Sequence, residues 1–235
     1  MTNPGYYRFP TLHRDTVVFV CEDDLWTAPV SGGTARRLTS NPGQMARPAL
    51  SPDGAWVAFT GRDEGHPEVY VMSSSGGPAR RLTYLGATTN VVGWTPDGEA
   101  VIFASDTGQP FSRFVCLYTV ARQGGEPQRL PTGPAMSISY GPAGGMVIGR
   151  NTTDPARWKR YRGGLAGDIW IDPAGQGEWR RLLQVQGNVA MPLWVGERIY
   201  FVSDHEGIGN LYSCLSSGAD VRRHTDHGDY YVRYP

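Results

Sequence analysis

The sequence predicts an all-β chain of the β-propeller class, built from repeated four-stranded blades, and three observations carry that prediction. The first is a recurring phrase. RRLT stands at 36–39 and 80–83, with weaker echoes QRLP at 128–131, RRLL at 180–183 and RRHT at 222–225, so successive starts lie 44, 48, 52 and 42 residues apart. The second is an apolar–aromatic pair ahead of each copy: Leu25-Trp26, Val69-Tyr70, Leu117-Tyr118, Ile169-Trp170 and Leu211-Tyr212, at the same 44, 48, 52 and 42-residue spacings. Because the two markers move together, every length difference falls outside the stretch that joins them. The third is turn chemistry between short apolar runs, with no sustained helical period. Four-strand units of roughly 40–50 residues are the signature of a propeller, whereas a β-sandwich needs no such regular repeat.

Each element follows from its residues. In the unit at 47–83, Arg47–Leu50 reads as the first strand, Trp56–Thr60 as the second, Glu68–Met72 as the third and Ala79–Thr83 as the fourth. SPDG at 51–54 turns the first strand into the second, and Gly76-Gly77 turns the third into the fourth, because Pro pre-sets φ and Gly accepts positive φ. TPDG at 95–98 and GPAG at 141–144 repeat the first turn, and Gly32-Gly33 and Gly124-Gly125 repeat the last. Phe9-Pro10 takes the place of Arg47-Pro48, so the first unit holds all four strands.

Blades are expected at about 6–39, 45–83, 89–131, 135–183 and 189–225, with a partial sixth at 229–235, in one propeller region spanning 1–235. Tyr234-Pro235 falls in the Phe9-Pro10 place, so the expected fold is a six-bladed type of propeller truncated after the first strand of blade six. An open gap would leave strand edges unpaired. The chain is therefore expected to be the front part of a longer polypeptide, or else to be completed by a partner or second copy. Blade cores are expected from Val57, Phe59, Val69, Val71 and their counterparts, with the aromatic markers at one equivalent position per blade.

Twenty-two Lys and Arg balance 22 Asp and Glu, so no net field draws nucleic acid or an anionic membrane. The 31 Gly and 18 Pro suit a chain of turns. Cys21, Cys116 and Cys214 are far apart and form no CxxC pair, which argues for reduced thiols rather than zinc or thioredoxin chemistry. The start MTNPGYYRFP lacks a basic n-region followed by an apolar h-region, and no apolar run approaches the roughly 20 residues of a membrane span. A soluble, cytoplasmic protein without a cofactor is expected.

A peptidase needs a nucleophile, a base and an oxyanion hole. No GxSxG elbow is present, and no catalytic residue is assigned to this chain. FASDTG at 103–108 imitates the Asp-Thr-Gly of aspartic proteases, but only one copy exists and that chemistry needs two facing carboxylates. It reads as a hairpin turn. HTDHGD at 224–229 offers metal-ligand types at a blade junction, where polar residues also serve turn geometry. The acidic runs EDD at 22–24 and DHE at 204–206 occupy equivalent hairpins and read as solvated tips or inter-domain contacts, with calcium binding as the minor alternative.

The segment that departs most from the repeat is NTTDPARWKRYRGGLAGDIW, 151–170. Phe59 to Tyr70 spans eleven residues in blade two, against twenty-two from Ile148 to Trp170 in blade four. The excess carries Arg157, Lys159, Arg160 and Arg162, interleaved with Trp158 and Tyr161. Insertions on a rigid scaffold often carry function, and Arg and Trp are favoured interface anchors. Three readings stand: docking of a neighbouring domain or subunit, a solvated loop whose aromatics cover the blade, or a grip on peptide carboxylates by Arg. The small cluster in a neutral chain argues against nucleic acid.

The repeats resemble those of TolB-type propellers, and a more specific likeness lies between them. HRDTVVFVCEDDLW at 13–26, GQPFSRFVCLY at 108–118, WKRYRGGLAGDIW at 158–170, RIYFVSDHEGIGNLYS at 198–213 and RRHTDHGDYYVR at 222–233 are similar to tricorn proteases. The likeness runs from about Tyr7 to the last residue. It implies a large cytosolic serine peptidase assembled as hexameric rings, which cuts oligopeptides released by the proteasome or similar machines. This chain would be its first propeller, a gate and scaffold, with the catalytic Ser and His in later domains. The implied partners are those domains, further copies of the chain and peptide substrates. The resemblance also implies an adjacent basic pair between blades two and three that holds a substrate's C-terminal carboxylate. The connection TYLGATTNVVGW at 83–94 contains neither Arg nor Lys, so no residue is given that role. The alternatives are a stand-alone interaction propeller and a cap on another peptidase class, such as the prolyl oligopeptidases.

Overall fold

A computed structural model describes residues 5–40 and 42–233. The chain folds as two compact units, Met1–Leu130 and Pro131–Pro235. The first three blades are β1 (Arg8–His13), β2 (Thr16–Cys21), β3 (Asp24–Pro29) and β4 (Arg36–Arg37); β5 (Met45–Leu50), β6 (Trp56–Gly61), β7 (Glu68–Ser73) and β8 (Arg80–Arg81); and β9 (Thr89–Trp94), β10 (Ala100–Ser105), β11 (Cys116–Ala121) and β12 (Gln128–Pro134), whose end from Pro131 on is counted with the second unit. The other two are β13 (Ser137–Tyr140), β14 (Met146–Arg150), β15 (Asp168–Asp172) and β16 (Arg180–Arg181); and β17 (Val189–Val195), β18 (Arg198–Ser203), β19 (Asn210–Leu215) and β20 (Arg222–Arg223). In every blade each strand pairs with its sequence neighbour, the arrangement of an up-and-down propeller blade.

The middle strands are buried on both faces. Across β6 and β7, Phe59 lies opposite Tyr70 and Val57 opposite Met72, while Ala58 lies opposite Val71 and Thr60 opposite Val69. Side chains alternate across a strand, so the first set joins Val18, Val20 and Leu25 in one core cluster. Val69, Val71 and Ala58 join Val91, Val101 and Phe103 in another. The expected core residues Val57, Phe59, Val69 and Val71 are all buried, divided between the two faces of their blade. In the second unit Val147, Ile169, Ile171, Ile199, Phe201 and Tyr212 form one cluster from both blades.

The aromatic markers share one register. Tyr70, Tyr118 and Tyr212 stack on Phe59, Phe103 and Phe201 at centroid distances of 5.6, 5.6 and 6.0 Å, and Trp26 and Trp170 stand opposite Phe19 and Ile148. Their polar ends turn to the β2–β3-type hairpin or the start of the third strand: Trp26 Nε1 donates to Cys21 O, Tyr118 Oη to Thr107 O, Trp170 Nε1 to Asp168 Oδ2 and Tyr212 Oη to Glu206 Oε2.

RRLT does more than mark the repeat. Its two arginines form the whole fourth strand, shorter than the expected 79–83. The ladder stops because the Thr side chain takes over. Thr83 Oγ1 accepts the Val69 N–H at 2.9 Å and donates to buried Glu68 at 2.6 Å. Thr39 does the same for Leu25 and Asp24, and Thr225 for Leu211 and Asn210. Arg37, Arg81 and Arg223 each donate Nε to the carbonyl of that Thr at 2.8 Å.

The Pro-containing first strands carry a bulge. Phe9, Arg47 and Met191 each have positive φ at a register shift, and each precedes Pro, which has no N–H to lose and is tolerated at bulges. Gly76 and Gly77, at φ 102° and 114°, make the turn into the last strand, where residues with a Cβ are strained.

The sixth blade requires correction. Among the described residues the structure has five four-stranded blades, in place of the expected six-bladed type entered by a strand at 231–235. Residues 230–233 form no strand, and Tyr234-Pro235 lie outside the described residues, as do 1–4. The Val232 N–H donates to Gly209 O at 2.8 Å, and side chains of Tyr231 and Arg233 add further anchors. The Tyr231 ring lies so close over Gly209 that a Cβ there would fall 2.5 Å from it.

Candidate functional site

The ladder between β14 and β15 pairs Arg150 with Asp168 and Ile148 with Trp170, so the insertion is a hairpin loop of residues 151–167. It is not loosely held. Pro155–Arg157 form a 3-10 turn capped by Asp154, whose carboxylate accepts the Ala156 N–H at 3.2 Å. Two further buried polar side chains from the neighbouring blade grip the loop. Asp204 is 1% exposed; it accepts the Arg160 N–H at 2.6 Å and the Asn188 N–H at 2.7 Å. Asn188 accepts the Gly167 N–H at 3.1 Å and donates its amide to Trp158 O at 2.8 Å and to Asp204 at 3.1 Å.

The same loop clamps residues 230–233. Arg233 forms an ion pair with buried Asp154. Lys159 Nζ lies 5.2 Å from the Tyr231 ring centre, within cation–π range. Tyr231 Oη donates to Gly207 O at 3.2 Å. Burial, with Asp204 adding to it, raises the Tyr231 pKa above that of an ordinary phenol.

The structure brings the six predicted residues onto one loop but turns most of their side chains outward. Arg157, Trp158, Lys159, Arg160 and Arg162 are exposed and Tyr161 is half-buried. The Trp158 and Tyr161 rings lie 5.3 Å apart. Sequence reasoning missed the anchors Asp154, Asn188 and Asp204. A signal existed: Phe-Ala-Ser-Asp at 103–106 and Phe-Val-Ser-Asp at 201–204 occupy equivalent places, and both aspartates accept the N–H just before a first strand, Thr88 at 2.9 Å and Asn188 at 2.7 Å.

The other motifs resolve into local structure. Asp106 of FASDTG is thus a turn aspartate. Asp24 and Asp204 are buried hydrogen-bond acceptors rather than solvated tips, while Glu206 receives Tyr212 and Arg223. In HTDHGD, His224 pairs with Ser213 Oγ at 2.7 Å, Asp226 with Arg223 at 2.7 Å, and the His227 ring lies 4.3 Å from that of Tyr230. Among the described residues no three His, Cys, Asp or Glu side chains converge as metal ligands. In the connection at 83–94, Tyr84 lies beneath the Arg81 guanidinium, 4.3 Å from it. Among the described residues no helix is long and apolar enough to cross a membrane.

Comparison with known proteins places this geometry. The chain is 44% identical over 233 residues to Tricorn protease homolog 1 of Streptomyces coelicolor, a match covering 98% of this chain and 22% of that protein. It is 30% identical over 172 residues to a chain of Sulfurisphaera tokodaii named as a Tricorn-like protease N-terminal subunit, covering 71% of this chain and 86% of that one. Among solved structures it matches the crystal structure of the tricorn protease with a TM-score of 0.90 at 36% identity, over 99% of this chain and 23% of that one. The chain therefore spans about a fifth of the longer relatives. The family model for the tricorn protease N-terminal beta propeller domain matches residues 4–235, and the chain belongs to that family.

Proposed function

We propose that this chain is the propeller portion of a tricorn-like cytosolic serine peptidase that degrades oligopeptides, and that it works as scaffold and gate without a catalytic residue of its own. The observation that carries the reading is the loop at 151–167. Three buried polar side chains hold its backbone, yet Trp158 remains 53% exposed and Leu165 56% exposed. A loop held this firmly, with a large aromatic turned outward, has the character of an interface anchor. The reading assigns it to docking against a neighbouring domain or subunit. The test is the natural full-length protein with Arg157, Lys159, Arg160 and Arg162 all replaced by Ala. Altered assembly mass or peptide turnover is expected; wild-type values for both would refute the role of the loop.

A second reading is favoured by the Sulfurisphaera tokodaii relative, whose name describes a separate N-terminal subunit. Here the propeller is a polypeptide of its own that associates with a catalytic chain. An immunoblot of source cells separates the two, because a band at the mass of the 235-residue chain supports the subunit and a several-fold larger band supports the fused enzyme.

A further inference from the structure

We infer that the outward face of residues 157–165 receives an acidic segment of a neighbouring domain of the peptidase, with an apolar recess for Trp158. The inference rests on the docking reading above and names the chemistry of the partner. Three observations carry it.

The first is the state of the cations. Arg157, Lys159, Arg160 and Arg162 lie within six residues and all are exposed. Among the described residues none of them has a carboxylate within ion-pair distance, whereas Arg8, Arg37, Arg81, Arg181, Arg198, Arg222, Arg223 and Arg233 do. In a chain with as many acidic as basic residues, this loop thus gathers four such cations on one short stretch. The second is that the two acids that hold this loop are already engaged. Asp154 holds Arg233 and the Ala156 N–H, and Asp204 holds the Arg160 N–H and Asn188. The third is the apolar content of the same face: the tilted Trp158–Tyr161 pair and Leu165. A partner must therefore offer carboxylates and a recess for an indole together. Guanidinium groups grip carboxylates with paired hydrogen bonds, and complementary charge sets register while a buried aromatic supplies affinity.

The test uses the intact natural peptidase and hydroxyl-radical footprinting, which reads side-chain access at Trp158, Tyr161 and Leu165. Wild type is expected to be protected at these three, and the protection is expected to fall about tenfold in ~1 M salt, because screening shortens to about 3 Å there. Arg160→Glu/Arg162→Glu is expected to abolish protection at any salt while the β-sheet circular dichroism stays that of wild type, since both side chains are exposed. Protection lost in Trp158→Ala but indifferent to charge reversal and salt would overturn the acidic partner and leave docking intact. Full access of the three residues in the wild-type assembly would overturn both. Protection that arises only on adding a hexaglutamate peptide would overturn the domain as its source and point to substrate carboxylates instead.

Discussion

Replacing Asp204 by Ala tests whether a buried carboxylate holds the loop at 151–167. The side chain accepts three N–H bonds, from Arg160 N at 2.6 Å, Asn188 N at 2.7 Å and Asn188 Nδ2 at 3.1 Å. Hydrogen bonds to a charged group contribute about 1.5–3 kcal/mol each, but the three share one acceptor and are not additive, so a loss of about 3 kcal/mol for the anchored loop is expected. Each ~1.4 kcal/mol is tenfold in an equilibrium constant, so the open loop becomes about 100-fold more populated. Trypsin cuts after Arg157, Lys159, Arg160 and Arg162, and when closing outpaces cleavage the rate follows that population. Limited trypsinolysis with mass-spectrometric mapping should therefore show about 100-fold faster cleavage in this loop, with other sites nearly unchanged. Asp204→Asn should be nearly as damaging, because its amide presents a donor where one of the N–H groups now finds an acceptor. Cleavage within about threefold of wild type in Asp204→Ala would refute the reasoning, since the loop would then be held by something other than this carboxylate.

Three further outcomes follow from the same physical arguments. Thr83→Val should lower stability by about 2–4 kcal/mol, because Val69 N–H and Glu68 both lose a buried partner, and at ~2–4 °C per kcal/mol the thermal melt should fall by roughly 4–15 °C; Thr225→Val, beside the neutral Asn210, should cost less, and a reversed order would contradict the buried-acid account. Burial pushes the Cys214 thiol up to about 11, so at pH 8 only ~0.1% is thiolate; iodoacetamide should modify it only after denaturation, as read by peptide mass mapping. Burial tends to raise the Asp172 pKa, but bonds from the Gly177 N–H at 2.6 Å and the Gln176 N–H at 3.2 Å outweigh it and hold the carboxyl below its ordinary value. A depressed native pKa gives stability that is full above about pH 4 and is lost as pH falls through the native value; the gap between wild type and Asp172→Asn should therefore close on acidification in a pH series of melts.

Much of the blade architecture was legible because its markers are local. Strand alternation, SPDG and Gly-Gly turns and the RRLT phrase each act over a few residues, and a repeat multiplies the signal. The function of RRLT was not legible. That Thr83 caps Val69 and holds Glu68 requires knowing that residues fourteen and fifteen positions apart become neighbours. The reading of 231–233 as part of a strand failed for a related reason. Tyr230-Tyr231-Val232-Arg233 has strand propensity, but propensity describes a fit to a pleated surface that must exist beside it. The described residues offer Tyr231 a seat on Gly209 and Arg233 a partner in Asp154 instead.

At the candidate site the division is the same. The sequence by itself determined that an eleven-residue excess sits between two paired strands and that it is basic and aromatic, because hairpin register and composition are properties of neighbouring residues. Only the tertiary structure decided that this loop is anchored, since Asn188 and Asp204 reach it from another blade. It also decided which polar groups are consumed internally and which face outward. Burial and pairing are set by what the folded chain places alongside each group, and a carboxylate at position 204 carries no mark in the sequence to say that its partner is the backbone at 160.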